Sequence, residues 1–207
     1  MVWFWGLKLT RYIRALLVAG MLSVGFGVAI AGPLENGIAA NQKGNYAKAL
    51  AIFRPLAERG NAKAQLGLGE MYWFGRGVAK DEKKAAKLYQ LAGEQGLADA
   101  QFVLGVIYDG GTGVAQDSKA AVKWFQLGAK QEHAGAQFAL AVMYATGSGV
   151  TKDPVRAQMW FVLSAAHGAV DPNHWIDLWA KHLSKDQINR AQEMASHCEA
   201  TKYKDCS

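Results

Sequence analysis

Three stretches of the chain, beginning at Ala64, Ala100 and Ala136, superpose without a gap at a spacing of 36 residues. Identical residues recur at Ala64/Ala100/Ala136, Gln65/Gln101/Gln137, Leu68/Leu104/Leu140 and Tyr72/Tyr108/Tyr144. The match continues through Gly75/Gly111/Gly147, Gly77/Gly113/Gly149, Val78/Val114/Val150, Asp81/Asp117/Asp153, Ala85/Ala121/Ala157 and Leu91/Leu127/Leu163. A unit this short cannot bury its own apolar face, so the copies must stack on one another.

Spacing identifies the unit as a helical hairpin. Ala64, Leu68 and Tyr72 stand four apart on one helix face, the packing face of a first helix, A. Gly-x-Gly-Val supplies a tight turn, and Asp81, Asp117 and Asp153 are placed to cap a second helix, B, with Pro154 at its first position. Helix B carries Ala85, Leu88, Tyr89 and Ala92, then Ala121, Trp124, Phe125 and Gly128, then Ala157, Trp160, Phe161 and Ser164, all at i, i+3, i+4, i+7 spacing. These aromatics read as core. Gly60, Gly96 and Gly168 sit where helix B ends; Glu132 stands there in the second repeat, so that turn is expected to be one place longer or strained.

Read together, Ala-x-x-x-Leu-Gly-x-x-Tyr-x-x-Gly-x-Gly-Val-x-x-Asp-x-x-x-Ala at residues 64–85 resembles the Sel1-like repeat, a relative of the tetratricopeptide repeat with a longer loop. Leu68-Gly69 and Leu104-Gly105 follow the family pattern, Leu140-Ala141 departs mildly, and Trp124 and Trp160 fall on its aromatic position, where Leu88 is the exception. The resemblance implies an all-α fold, a right-handed α/α solenoid of hairpins with C-terminal capping helices. Residues 34–60 resemble the shorter tetratricopeptide-like hairpin that precedes such repeats, with its turn at Gly44-Asn45-Tyr46. Pro55 falls inside its second helix and is expected to kink it or to deny it one hydrogen bond. Residues 64–168 divide into repeats 64–99, 100–135 and 136–168, and 169–207 form the cap and tail. There Pro172 to Leu183, with Trp175 and Trp179 on one face, reads as a covering helix, and Ser184 with Gln187 makes a capping box for a last helix.

The chain opens with Lys8, Arg11 and Arg14, an apolar run from Ala15 to Ala31, and a polar turn at Gly32-Pro33. Residues 1–31 are therefore expected to be a signal peptide cut after Ala31, which makes the protein periplasmic or secreted in a bacterial cell envelope; an uncleaved inner-membrane anchor is the alternative. Of the net charge of +6, those three residues supply half, leaving 20 basic against 17 acidic residues. So small an excess gives no reason to expect a nucleic-acid partner. Cys198 and Cys206 are expected to form a local disulfide in an oxidising compartment.

Little in the chain points to chemistry. The five histidines show no metal-site spacing, no serine sits in a nucleophile elbow, and the Gly-x-Gly-Val motifs are turn formers. No catalytic residue, metal, cofactor or small-molecule substrate is expected. The resemblance implies instead that the helix A side lines a concave groove for a partner protein or peptide. Its candidate residues lie between the packing positions: Gln65, Leu66, Glu70 and Trp73, then Gln101, Phe102, Val106 and Asp109, then Gln137, Phe138, Val142 and Ala145. Leu66, Phe102 and Phe138 form a ladder that is either a binding stripe or packing against the preceding hairpin; both readings stay open. The expected function is that of an exported interaction scaffold. A membrane-tethered assembly or host-interaction factor is the alternative, and a β-lactamase-like enzyme is disfavoured because the repeats lack cysteine pairs.

Overall fold

The computed structural model describes residues 32–169 and 171–206. The expected signal peptide lies outside the described residues. Helices α1 (Pro33–Gln42) and α2 (Tyr46–Glu58) form a first hairpin, followed by α3 (Ala62–Phe74) with α4 (Glu82–Glu94), α5 (Ala98–Gly110) with α6 (Ser118–Ala129), and α7 (Ala134–Thr146) with α8 (Pro154–Ala166). Helices α9 (Pro172–Ala180) and α10 (Lys185–Ala200) follow, and there is no strand among the described residues. Each helix through α8 packs on its neighbours in sequence, the arrangement of an α-helical solenoid.

The same side-chain chemistry closes every long turn. Asp81 Oδ1 accepts the Lys84 N–H at 3.0 Å, Asp117 accepts that of Ala120 at 2.9 Å, and Asp153 accepts those of Val155 and Arg156, both at 3.0 Å. The backbone N–H of each aspartate meanwhile donates to the carbonyl of Tyr72, Tyr108 or Tyr144, at 2.9, 2.8 and 3.0 Å. One residue thus caps helix B and ties it to the end of helix A, satisfying groups at both termini. Gly113 shows why the second turn glycine recurs: its φ is +75°, and a Cβ there would lie 2.6 Å from the Glu82 carbonyl oxygen of the preceding hairpin. The turn of one hairpin rides on the start of helix B in the one before it.

Between the helices of a hairpin, Ala64, Ala100 and Ala136 are fully buried, as are Ala85, Ala121 and Ala157. Tyr89, Phe125 and Phe161 fill the space between, each less than 5% exposed. The small residue after Leu104 makes that filling possible, because a Cβ on Gly105 would enter the Phe125 ring. Pro55 does not end α2, which continues to Glu58; the proline is exposed and its missing N–H falls on the solvent side.

Glu132 occupies the same turn position as the glycines and is strained there, at φ 61° beside 87°, 88° and 88° for Gly60, Gly96 and Gly168. No residue is added, so the strained alternative holds.

The stack ends by enclosing α8. Both α9 and α10 pack on α8 rather than forming a hairpin with each other. Trp179 on α9 donates to the Pro154 carbonyl at 3.0 Å and sets its ring 6.2 Å from Phe161. Helix α10 starts with the expected Ser184–Gln187 capping box. Met159 and Leu163 are buried, whereas Leu91 and Leu127, at the Leu163 position of earlier repeats, are 41% and 44% exposed. Cys198 and Cys206 lie at bonding distance, with Cα atoms 4.6 Å apart. The turn between them places Tyr203, 3% exposed, against the His167 ring at a centroid distance of 5.9 Å.

The candidate helix A face and the glutamine contacts beneath it

The three glutamines do not line a groove. Gln65, Gln101 and Gln137 are 4%, 4% and 0% exposed, and each bridges two hairpins. The side-chain nitrogens donate to Ala57, Gly93 and Ala129, carbonyls at the end of the preceding helix B, at 3.2, 3.0 and 3.2 Å. The side-chain oxygens of Gln65 and Gln101 accept from Gln95 and Gln131, both at 2.7 Å, and that of Gln137 lies 2.9 Å from His167 Nδ1. A helix C-terminus leaves carbonyls without intrahelical partners, and these amides supply them across the hairpin boundary.

The aromatic ladder also resolves toward packing. Phe102 is 4% exposed, 6.1 Å from the Phe125 ring and stacked on His133 at 4.9 Å, so it cannot serve as a groove anchor. Phe138 meets Phe161 at 5.5 Å and Trp175 of α9 at 5.4 Å. Leu66 is half-buried. The reason is geometric: stacking covers two sides of helix A, and position 102 faces the second of them.

Glu70, Trp73, Val106, Asp109 and Val142 remain as half-buried side chains on α3, α5 and α7. Asp109 is held by its own turn, its carboxylate accepting from Ser118 Oγ at 3.1 Å and its carbonyl from Gln116 at 2.7 Å. Trp73 lies 6.3 Å from the Tyr89 ring. Burial pushes the Glu70 carboxyl up to about 7, with Arg76 opposing and Asp99 reinforcing the rise. Burial, then the Glu70 charge, holds the Tyr89 hydroxyl well above its ordinary value.

His133 is a contributor that spacing did not single out. Its Nδ1 accepts the Ala136 N–H at 3.1 Å as the N-cap of α7, which leaves Nε2 to donate to Asp99 at 3.3 Å and keeps that carboxyl below its usual range. The available signal was positional, since His133 stands two repeats on from Asn61, which caps α3 through Ala64 at 2.9 Å. Among the other histidines, His174 and His182 lie against Trp175 and Trp179, and His197 pairs with Asp205 at 3.3 Å. No group of metal-ligating side chains gathers among the described residues.

The Sel1 repeat profile matches residues 31–61, 62–97, 98–133 and 134–168. Among solved structures, a Sel1 repeat protein from Oxalobacter formigenes is 31% identical, with a TM-score of 0.67 over 79% of this chain and 69% of its own. The protein c5321, described as a protective antigen present in uropathogenic Escherichia coli strains displaying an SLR fold, is 30% identical, with a TM-score of 0.69. It is covered over 94% of this chain but only 40% of its own length. No curated protein gives a significant match.

Proposed function

We infer, given that the chain belongs to the Sel1 repeat family, that it is an exported scaffold which receives a partner protein or peptide along the helix A face. Proteins of this family are in general protein–protein interaction scaffolds. The observation that carries the reading is the row Glu70, Val106 and Val142, three half-buried side chains in register on successive A helices, with Trp73 beside the first. Side chains at that level of exposure have apolar area still to lose, and a partner segment laid across them would remove it from water.

Export with removal of residues 1–31 belongs to the same proposal, and the cysteine pair supports it, since a disulfide persists in an oxidising compartment. A mature protein whose mass begins at Gly32 is the expected result; a mass retaining residues 1–31 replaces this reading with the tethered one. The likeness to a protective antigen supports a second reading, a membrane-tethered host-interaction factor.

Photo-crosslinking amino acids placed in cells at Trp73, Val106 and Val142, and for comparison at Leu91 and Leu127 on helix B, test the face directly. Partner adducts from the first group and not the second are expected. Adducts confined to Leu91 and Leu127 would move the interaction to the opposite side and overturn the assignment.

A further inference from the structure

Glu70 is out of place by the logic of its own repeat. Its equivalents on α5 and α7 are Val106 and Val142, and all three are half-buried. A carboxyl drawn out of water is costly unless something pairs with it, yet Glu70 makes no hydrogen bond or ion pair among the described residues. Arg76, the cation whose charge reaches it, lays its guanidinium over the Phe74 ring at 4.6 Å, with Tyr46 at 5.9 Å. Lys63, on the same helix, acts on Asp99 instead.

Three further groups bear on the same position. Tyr89 is only 2% exposed, and its hydroxyl makes no hydrogen bond among the described residues although it lies within the field of the Glu70 carboxylate. Trp73 stands one turn beyond Glu70 on α3, half-exposed and 6.3 Å from the Tyr89 ring. Asp99, on the next A helix, adds a second negative charge close enough to act on Glu70. An unpaired carboxylate one helical turn from a half-exposed indole is complementary to a cation, which can gain an ion pair and a cation–π contact together. An anionic or aliphatic ligand would leave the carboxylate unpaired.

We propose that Glu70, Trp73 and the Tyr89 hydroxyl form a receptor for one cationic side chain, an arginine or a lysine, presented by the segment that lies on the helix A face. This rests on the face being the binding surface, and it adds a polarity to it: the partner's positive residue is seated at the first repeat, and its apolar residues run on over Val106 and Val142. The carboxylate takes the ionic hydrogen bonds of the cation, the indole takes its flat side, and the tyrosine hydroxyl donates to the carboxylate once it is ionised. A guanidinium satisfies this arrangement more fully than an ammonium, because it is planar and forked.

Fluorescence anisotropy of the full chain with labelled, end-blocked hexa-arginine, hexalysine and hexaglutamate at low salt tests the proposal. The variants are Glu70→Val, which installs the residue of the other repeats and so keeps the fold, and Glu94→Gln on helix B as a control. Hexa-arginine should bind about tenfold more weakly to Glu70→Val and within about twofold of normal to Glu94→Gln. Hexalysine should bind less tightly than hexa-arginine, and hexaglutamate should not bind. In a second measurement the Glu70 side-chain carboxyl carbon resonance should shift when hexa-arginine is added. A Glu70→Val protein that binds hexa-arginine as wild type does, or an unmoved Glu70 resonance, overturns the receptor. Crosslinks from Val106 that persist beside such a result would discard the receptor and leave the face itself standing.

Discussion

Gln137 holds its side-chain oxygen 2.9 Å from His167 Nδ1, in the place where Gln101 receives Gln131 one repeat earlier. The imidazole does the work of the amide, and Nδ1 also lies 2.8 Å from the Leu163 carbonyl. Two acceptors on one nitrogen fix the proton there, leaving Nε2 toward Tyr203 at 3.5 Å and Glu132 at 3.9 Å. A single residue therefore connects the third repeat, the turn before it and the tail.

Gln101→Leu should lower unfolding stability by about 1–3 kcal/mol, because it strands the Gly93 carbonyl and the Gln131 amide at a buried hairpin boundary. His167→Gln restores the residue type of the other repeats and should cost less than His167→Ala. Urea titrations of the three variants check the order, and a Gln101→Leu protein as stable as wild type would show that the glutamine contacts carry no net stability.

The raised Glu70 pKa makes stability depend on pH with a definite sign. At about 7 in the folded chain against 4.5 ordinarily, the folded state holds the proton more tightly than the unfolded state. This group's contribution is therefore complete below about pH 4.5 and is lost as pH rises through 7, by about 3 kcal/mol. Glu70→Val should remove that loss. The difference between wild-type and variant unfolding free energies, measured from pH 4.5 to pH 8, isolates the effect, and a flat difference excludes it.

Glu132→Gly should stabilise the chain by about 0.5–1 kcal/mol. The left-handed backbone at φ 61° costs a residue with a Cβ about 1–2 kcal/mol, partly offset by the greater freedom glycine has when unfolded. The 3.9 Å contact with His167 is too long to reverse the sign. Thermal unfolding at neutral pH reads the outcome.

Gly105→Ala should destabilise by about 1–3 kcal/mol, since the new methyl group meets the Phe125 ring and forces α5 and α6 apart. Phe125→Leu in the same chain should recover part of the loss, which separates crowding from a change in helix propensity.

The hairpins were legible because their determinants are local and repeated three times. Asp81, Asp117 and Asp153 cap the residues immediately after them, and the turn glycines sit at fixed offsets, so spacing alone places them. The glutamines could be seen to recur but not what they do, because Gly93 and Gln131 belong to different hairpins from one another. Phe102 was ambiguous for a related reason. A helix buried on two sides has no single apolar stripe, and only the stacked neighbour shows which side position 102 faces. Glu70 stood out in sequence merely as a polar residue between packing positions; its burial and its lack of a hydrogen-bond or ion-pair partner come from the folded neighbours.

The enclosure of α8 has a consequence for how such a chain can change length. With Met159 and Leu163 already covered and α9 and α10 seated on the last hairpin, the described residues leave no vacant docking edge there for another copy of the unit. Tandem duplication is instead accommodated ahead of that end, between Gly96 and Ala98 or between Glu132 and Ala134, where a turn and a glutamine amide of the same kind stand on either side. Descendants of this gene would then vary in the number of middle units while keeping the closing segment after Gly168 unaltered, a pattern of growth by insertion ahead of that segment.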